Sequence, residues 1–433
     1  MNMWIITLIM FGSMLLFLAS GLPLSFSLGG VAAVCTYFFW GATSLHTIAA
    51  NMINLIRSTL MVAVPLFVIL AYLLEYTGVA DELFTTFYKI FGRLKGGLAV
   101  AVIFSCTIIA AMTGISTTGV LLMGVIALPA MLKRGYNEEL AMGVIMAGGS
   151  LGPLIPPSLV LIVYSLISGQ STGELFLAGV VPGIITSILF TAFVLIKCYL
   201  NPKLAPSLKE EELVNFKEKI ISLKGILLPL LLVISVLGAI FFGVATPTEA
   251  AAIGAFGALL ITLLRKRLNK KMMMNVSVAT LKTVGAVMWA IFGANCFSNI
   301  YQGIGATKFI REAIEASGAE VWMVLLIMQI IWFILGCMMD SLSILMVTMP
   351  IFMPLAELFH WNLVWFGLVF LLNTEMGYLT PPFGVNLIVM SGIVKDRKIP
   401  MIKIYRAVWP FVGIQAIVLL LVILVPYLVT WVQ

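Results

Sequence analysis

Apolar runs alternate with short polar connections along the whole chain, and the runs are of two kinds. Residues 4–20, 24–43, 59–77, 175–198, 226–245, 247–268, 276–300 and 404–430 are long and little interrupted. About 20 apolar residues suffice for one helical crossing of a bilayer, so each of these predicts a span. Residues 78–97 differ. Leu83, Phe84, Phe87, Ile90, Phe91 and Leu94 recur at helical spacing, with Asp81, Glu82, Lys89, Arg93 and Lys95 between them. That pattern predicts a helix lying in the membrane interface, with a solvated connector as the other reading.

The second kind of run is broken. The apolar stretch 98–112 stops at Thr113-Gly114-Ile115-Ser116-Thr117-Thr118 and resumes over 119–132. Two half-length segments around a small polar tip predict a re-entrant hairpin. Residues 140–168 are long enough to cross, yet Gly148-Gly149-Ser150-Leu151-Gly152-Pro153-Leu154-Ile155-Pro156-Pro157 interrupts their middle. Proline removes a backbone donor and blocks helix continuation. The backbone groups so freed lie at membrane depth, where only protein, water, an ion or a substrate satisfies them. The same two patterns return later. The run 321–339 stops at Asp340-Ser341-Leu342-Ser343 before 344–356, and 363–394 is broken at Gly377-Tyr378-Leu379-Thr380-Pro381-Pro382-Phe383-Gly384.

These regions are in register. At an offset of 225, Ser116 falls on Ser341, Thr118 on Ser343, Pro129 on Pro354, Gly152 on Gly377, Pro156 on Pro381 and Pro157 on Pro382; after a slip of three residues, Pro182 falls on Pro410. A hairpin crosses nothing net, and five crossings lie between the two hairpins: 140–168, 175–198, 226–245, 247–268 and 276–300. An odd number inverts the second unit. The predicted fold is therefore an all-α polytopic membrane protein with inverted structural repeats, each holding a re-entrant hairpin and a broken transmembrane helix. That is the architecture of secondary transporters.

Composition removes the soluble alternatives. Of 433 residues, 62% are hydrophobic and only 10% charged, with mean hydropathy +1.14. A soluble domain carries about 25% charged residues. Roughly ten to twelve membrane elements fill the length, leaving no room for a folded aqueous domain. The net charge of +7 is positional: 19 of the 25 Lys and Arg fall in 78–97, 133–139, 199–224, 265–271 and 395–403, all on one side by the crossing count. The opposite side has only Arg57, Lys308 and Arg311. This is orientation by cytoplasmic positive charge, and no basic segment has a fold to display it to nucleic acid. The five cysteines lie within apolar runs without metal-ligand spacing. The first run, from Trp4, lacks a basic leader and is followed at once by another, which predicts a first span over a cleaved signal.

The candidate chemistry sits at the breaks. Asp340, one of three aspartates, occupies a hairpin tip in apolar surroundings. A carboxylate at membrane depth costs roughly 2.5–3.5 kcal/mol or more, to be offset by a cation, a proton or helix N-termini; its other reading is a cap on the helix that follows. Ser116, Thr117, Thr118, Ser341 and Ser343, with Gly114 and Thr380 beside them, offer hydroxyl and carbonyl oxygens suited to a small cation, although such hydroxyls also bond back to their own helix. Pro156, Pro157, Ser158, Pro381, Pro382, Gly384 and Asn386 are the candidate substrate contacts at the breaks. Asn373 and Glu375 are structural candidates, Glu375 as a paired carboxylate. Neither hairpin contains Lys or Arg, so an anionic substrate has to be held by half-helix N-termini and co-bound cations. No phosphate-binding GxxxxGK[ST] sequence occurs, which favours ion coupling. Two monovalent cations moving down 100 mV supply about 4.6 kcal/mol. That supports over about a thousandfold accumulation of a neutral solute, and transported negative charge subtracts from it. An intramembrane aspartyl protease needs two membrane aspartates and a metalloprotease an HExxH helix; the chain has neither.

Thr246-Pro247-Thr248-Glu249 is a capping box with proline at the first helical position. The longer run Gly243 to Ala252 resembles a signature of the large membrane subunit of TRAP (tripartite ATP-independent periplasmic) transporters, the DctM-like family. So do Gly152 to Ser158, Asn373 to Pro382, and Gly336 through Asp340 to Pro350 and Pro354. The first tip departs from the serine- and glycine-richer run of many members. The resemblance covers essentially the whole chain. It implies an elevator-type secondary transporter of the ion transporter superfamily, in the bacterial inner membrane, importing a dicarboxylate, sialic acid or other sugar acid. Coupling to two or more sodium ions is implied, with a periplasmic substrate-binding protein and a small four-helix membrane subunit as partners. The chain starts directly with a large-subunit span, so that small subunit is expected to be a separate chain. A sodium- or proton-coupled carrier without a binding protein is the alternative. The implied organisation is scaffold spans plus interfacial helix over 1–97, a first transport repeat over 98–174 (hairpin 98–132, broken helix 140–168), scaffold over 175–320, a second transport repeat over 321–398 (hairpin 321–356, broken helix 363–394) and a C-terminal span over 399–433.

Overall fold

The computed structural model describes residues 3–206, 216–306, 308–309, 311–312, 318, 320–397 and 399–433. The centre of the predicted connection 199–224, residues 207–215, lies outside the described residues, and from 216 onward the chain is helix.

The N-terminal helices are α1 (Met3–Ala19), α2 (Leu24–Trp40), α3 (Leu45–Ile56) and α4 (Thr59–Tyr76), followed by α5 (Val79–Phe91). The pattern of 78–97 predicted α5, whose buried face is Val79, Ala80, Leu83, Phe84 and Thr86. It did not predict α3, a 12-residue amphipathic helix with no fully buried residue. The first unit comprises the hairpin α6 (Gly97–Thr113) and α7 (Ser116–Lys133), then a helix broken into α8 (Glu138–Ser150) and α9 (Leu159–Ser168). Next come α10 (Thr172–Leu200), α11 (Phe216–Phe241), α12 (Pro247–Leu264) and α13 (Lys270–Gly303). The second unit is α14 (Val321–Gly336) and α15 (Ser341–Leu358), then α16 (Leu363–Tyr378) and α17 (Val385–Ile393). The chain closes with α18 (Met401–Leu424) and α19 (Tyr427–Thr430). The expected last span 404–430 is thus cut at Val425-Pro426.

Eight described helices are long and apolar enough to cross a membrane by length and composition, and six more are apolar but of 10–17 residues. The second leg of each hairpin is longer than the sequence suggested: α7 and α15 each have 18 residues, about 27 Å of helix. The units repeat element by element. α7 and α15 start and end 225 residues apart, and the N-caps Asn137 of α8 and Asn362 of α16 keep the same offset. Pro129 and Pro354 lie inside the second hairpin legs, and Pro182 and Pro410 inside α10 and α18. The peptides Pro156-Pro157 and Pro381-Pro382 are both cis.

The two units interlock into the buried centre of the molecule. Every residue of α8 from Leu140 to Ser150 is buried. In the second unit Trp332, fully buried, packs against Phe352, Phe366 and Phe370 and donates its indole N–H to Thr348 Oγ1 at 3.0 Å. The Tyr164 hydroxyl of α9 donates to the Leu363 carbonyl of α16 at 2.6 Å, tying the first broken helix to the second. α10, expected among the scaffold spans, packs on the units: Phe190 and Phe193 meet Phe411 of α18 edge-on, and Thr107 and Ser187 share a 2.8 Å hydrogen bond. The outer helices instead present large apolar residues outward, as lipid requires, among them Leu8, Phe38, Ile253, Phe256 and Leu281.

At the basic face, Arg265, which ends α12, donates to Glu82 of α5 at 2.8 Å and to the Thr77 carbonyl at 3.1 Å, fastening α5 to α12 and to the end of α4. Thr246 and Glu249 form the predicted capping box: the Thr246 N–H donates to Glu249 Oε2 at 2.8 Å, and the Glu249 N–H to Thr246 Oγ1 at 3.3 Å.

Candidate functional site

Four half-helices begin at the breaks and tips, and each N-terminus leaves backbone N–H groups without intrahelical partners. α9 is capped by the Ser158 side chain, which accepts from the Leu161 N–H at 3.3 Å. α15 is capped by Asp340, whose Oδ1 accepts from the Ser343 N–H at 3.0 Å and whose Oδ2 accepts from the Ser343 hydroxyl at 2.5 Å. α7, after Ile115, and α17, after Gly384, have no side-chain cap. These two uncapped N-termini are joined. The buried Ser116 hydroxyl donates to Asn386 Oδ1 at 2.8 Å, while Asn386 Nδ2 donates to the Met146 carbonyl of α8 at 3.1 Å. Asn386 thus connects the first hairpin tip, the first broken helix and the second break.

Steric contact completes the first cluster. Gly114 sits at φ 64°, a left-handed conformation open to glycine. A Cβ there would come within 2.2 Å of the Pro157 carbonyl oxygen. A Cβ on Gly152 would lie 2.7 Å from the Ser116 backbone nitrogen. Tip and break therefore meet through backbone. At the equivalent position of the second unit, a Cβ on Gly377 would lie 2.6 Å from the Gly336 backbone. The register of glycines in the sequence is a register of close helix contacts.

The second tip is held differently. The buried Ser341 donates its N–H to the Tyr378 hydroxyl at 2.6 Å and its own hydroxyl to Thr374 Oγ1 at 2.8 Å. Both partners are on α16, so this tip is bound to its own broken helix. Tyr378 ends α16 and Asn386 lies in the first turn of α17, so the second break is gripped at one end by each tip. Between them the Thr380 hydroxyl bonds back to the Met376 carbonyl at 2.9 Å. Pro382 and Phe383 are exposed, with the Pro382 carbonyl accepting from Tyr405 at 3.1 Å, whereas Pro156 and Pro157 of the first break are buried.

Several expectations change. Asp340 has an accessible side chain at the tip, and its observed bonds are those of the cap. Glu375 is fully buried but has no ion-pair partner among the described residues, the Leu154 N–H of the first break being a polar neighbour of its carboxyl. Asn373, a structural candidate, donates to the Gln329 carbonyl at 3.0 Å and to its side-chain oxygen at 2.7 Å. Thr117 and Thr118 line a shallow apolar groove shared with Ile388 and Gly392 of α17. Thr374 and Tyr378 were not anticipated as tip partners, nor was Gln415 of α18, which donates to Ser150 Oγ at 2.8 Å. The Asn137/Asn362 offset was readable and belonged with the proline pairs. Residues 135–196 and 321–394, which enclose both breaks, contain no Lys or Arg.

An all-helical membrane protein with inverted repeats, whose hairpin tips meet broken helices inside the protein, has the architecture of a secondary transporter. A family model described as "Tripartite ATP-independent periplasmic transporter, DctM component" matches residues 11–428. The chain belongs to this family, whose members are transport subunits and not enzymes. It is 30% identical to the C4-dicarboxylate TRAP transporter large permease protein DctM of Vibrio cholerae, over 95% of this chain and 94% of that one. It is 29% identical to the sialic acid TRAP transporter large permease protein SiaM of the same organism, over 94% of each. The isethionate permease protein DctMQ of Oleidesulfovibrio alaskensis is 29% identical over 96% of this chain, which spans 65% of that protein. Among solved structures, the YdaH transporter of Alcanivorax borkumensis shares the fold, with TM-score 0.63 and 13% identity over 97% of this chain and 98% of that one.

Proposed function

We propose that this chain is the large membrane subunit of a sodium-coupled TRAP transporter in a bacterial inner membrane. It imports a small organic acid, such as a dicarboxylate, sialic acid or another sugar acid, delivered by a periplasmic binding protein, and works beside a small four-helix membrane subunit. The observation that carries the reading is the Ser116–Asn386 hydrogen bond, which brings the two uncapped N-termini of α7 and α17 together. Free N–H groups and the positive ends of two helix dipoles favour a carboxylate there. No basic side chain competes for that role in either unit, so cations supply the remaining compensation. Asp340 with Ser341 and Ser343 at the second tip, and the carbonyls around Gly114 and Thr380, are hard oxygen donors of the kind a small monovalent cation takes. Two or more sodium ions per cycle provide the drive. Because the tips and breaks are bound to one another, they move as a body, and an elevator displacement carries solute and ions together past the scaffold helices.

The test is reconstitution of the complex in proteoliposomes with an imposed sodium gradient. Uptake of a radiolabelled organic acid is expected to require inward sodium and added binding protein. Uptake that persists without the binding protein would make the chain a stand-alone carrier, and uptake indifferent to sodium would remove the coupling.

A further inference from the structure

α13 begins at Lys270-Lys271 on the basic face, so its far end is the outer one. Its last two turns break the lipid pattern. Asn295, Ser298, Asn299 and Gln302 recur at helical spacing on one side of a membrane helix, over about 10 Å of rise. Polar side chains at such depth face protein or water instead of lipid. Here they face a cavity of about 300 Å³, walled on the other sides by α9, by α15 and by Leu55 of α3. Two of the four rungs are linked to the others, Asn299 Nδ2 donating to Asn295 Oδ1 at 2.8 Å and Gln302 Nε2 to Ser298 Oγ at 3.1 Å. The ladder opens outward: Asn295 and Ser298 are half-buried, and Asn299 and Gln302 exposed.

Among the described lining residues the charged one is Glu357, near the outer end of α15. Along α15 the lining runs inward from there to Met346, six residues from Asp340 at the tip, which is about 9 Å of helix. The cavity therefore extends from a carboxylate at the outer face toward the carboxylate of the second tip, with amide and hydroxyl oxygens along the scaffold wall. We propose that it is the outer entry path of a hydrated monovalent cation, with Glu357 drawing the ion in and the α13 ladder solvating it on the way to the second tip. An anionic solute is disfavoured at this mouth by the same carboxylate. The proposal rests on the sodium-coupled reading above and adds the route.

The test uses the assembled complex in proteoliposomes. Ser298→Cys is expected to react with a membrane-impermeant maleimide from the outside only, against a wild-type background whose cysteines are all buried. No reaction, or reaction from the inside, would overturn an outer path, including the case in which a partner subunit covers it. Glu357→Gln is expected to raise the sodium concentration for half-maximal uptake about threefold at low ionic strength, with the effect shrinking as inert salt is added and the maximal rate preserved. An unchanged sodium requirement overturns the proposal. So does a change confined to the organic acid's half-saturation, which would make the cavity a solute route. A wild-type complex without sodium dependence would defeat the coupled reading itself, whatever the labelling showed about the vestibule.

Discussion

Ser116 at the first hairpin tip donates its hydroxyl to Asn386, 270 positions further along the chain and in the other repeat, at 2.8 Å. Ser341, its partner by internal symmetry, stays within its own repeat and bonds Thr374 and Tyr378 instead. The repeats are thus alike in backbone and unlike in their polar contacts. The first tip joins the units to each other, and the second ties its hairpin to the helix beside it.

Breaking that joint is expected to be costly. Asn386→Leu strands the Ser116 hydroxyl in a buried place, a loss of about 1–3 kcal/mol, and also removes the second donor to the Met146 carbonyl, which lies within α8. Thermal unfolding of the purified complex should show a lower midpoint for Asn386→Leu than for Ser116→Ala, which removes one partner only. Equal midpoints for both variants would mean that the bond to Met146 contributes nothing.

Asp340 holds two roles that one substitution separates. Asparagine caps a helix about as well as aspartate does, so Asp340→Asn should keep α15 intact while removing the charge. Uptake in that variant is expected to lose its sodium dependence with assembly unchanged, and Asp340→Ala to lose both the cap and the dependence. Normal sodium activation of Asp340→Asn would leave Asp340 a cap alone.

Among the described residues Glu375 has no cation beside it, the Leu154 N–H of the first break being a polar neighbour of its carboxyl, so no ion pair depends on its charge. Glu375→Gln is expected to retain uptake and stability near the wild-type level. Glu375→Lys, which places a fixed cation in a sealed apolar position, should prevent assembly. A collapse of sodium activation in Glu375→Gln would instead mark this carboxyl as an ion ligand.

At Gly377 the neighbouring helix backbone lies too close for any side chain. Gly377→Ala is therefore expected to lower the yield of folded complex, because backbone cannot rotate away as a side chain does. Gly392, which has open space around it, is the matched control, and Gly392→Ala should leave the yield unchanged.

Inversion of the repeats also has a direct readout. Single cysteines at Leu268 and Lys308 should be labelled from opposite sides of the membrane, inside and outside respectively. Labelling of both from one side would contradict the five crossings counted between the hairpins.

The sequence by itself determined the solvent, the element order and the repeat. Apolar runs of membrane length, their failure at Thr113 to Thr118 and Asp340 to Ser343, and the proline pairs 225 residues apart are all local signals. Lipid makes local signals decisive, since a backbone that cannot bond to water must either be helix or be sheltered. Only the tertiary structure decided how the breaks are sheltered. That Asn386 satisfies Ser116, that Thr374 and Tyr378 hold Ser341, that Asp340 is exposed and that Glu375 is unpaired all depend on which helices come to lie side by side. A side chain's partner across a packed interface leaves no periodicity in the chain. The symmetry legible in the prolines and glycines is one of backbone, and packing made the polar contacts at the two tips different.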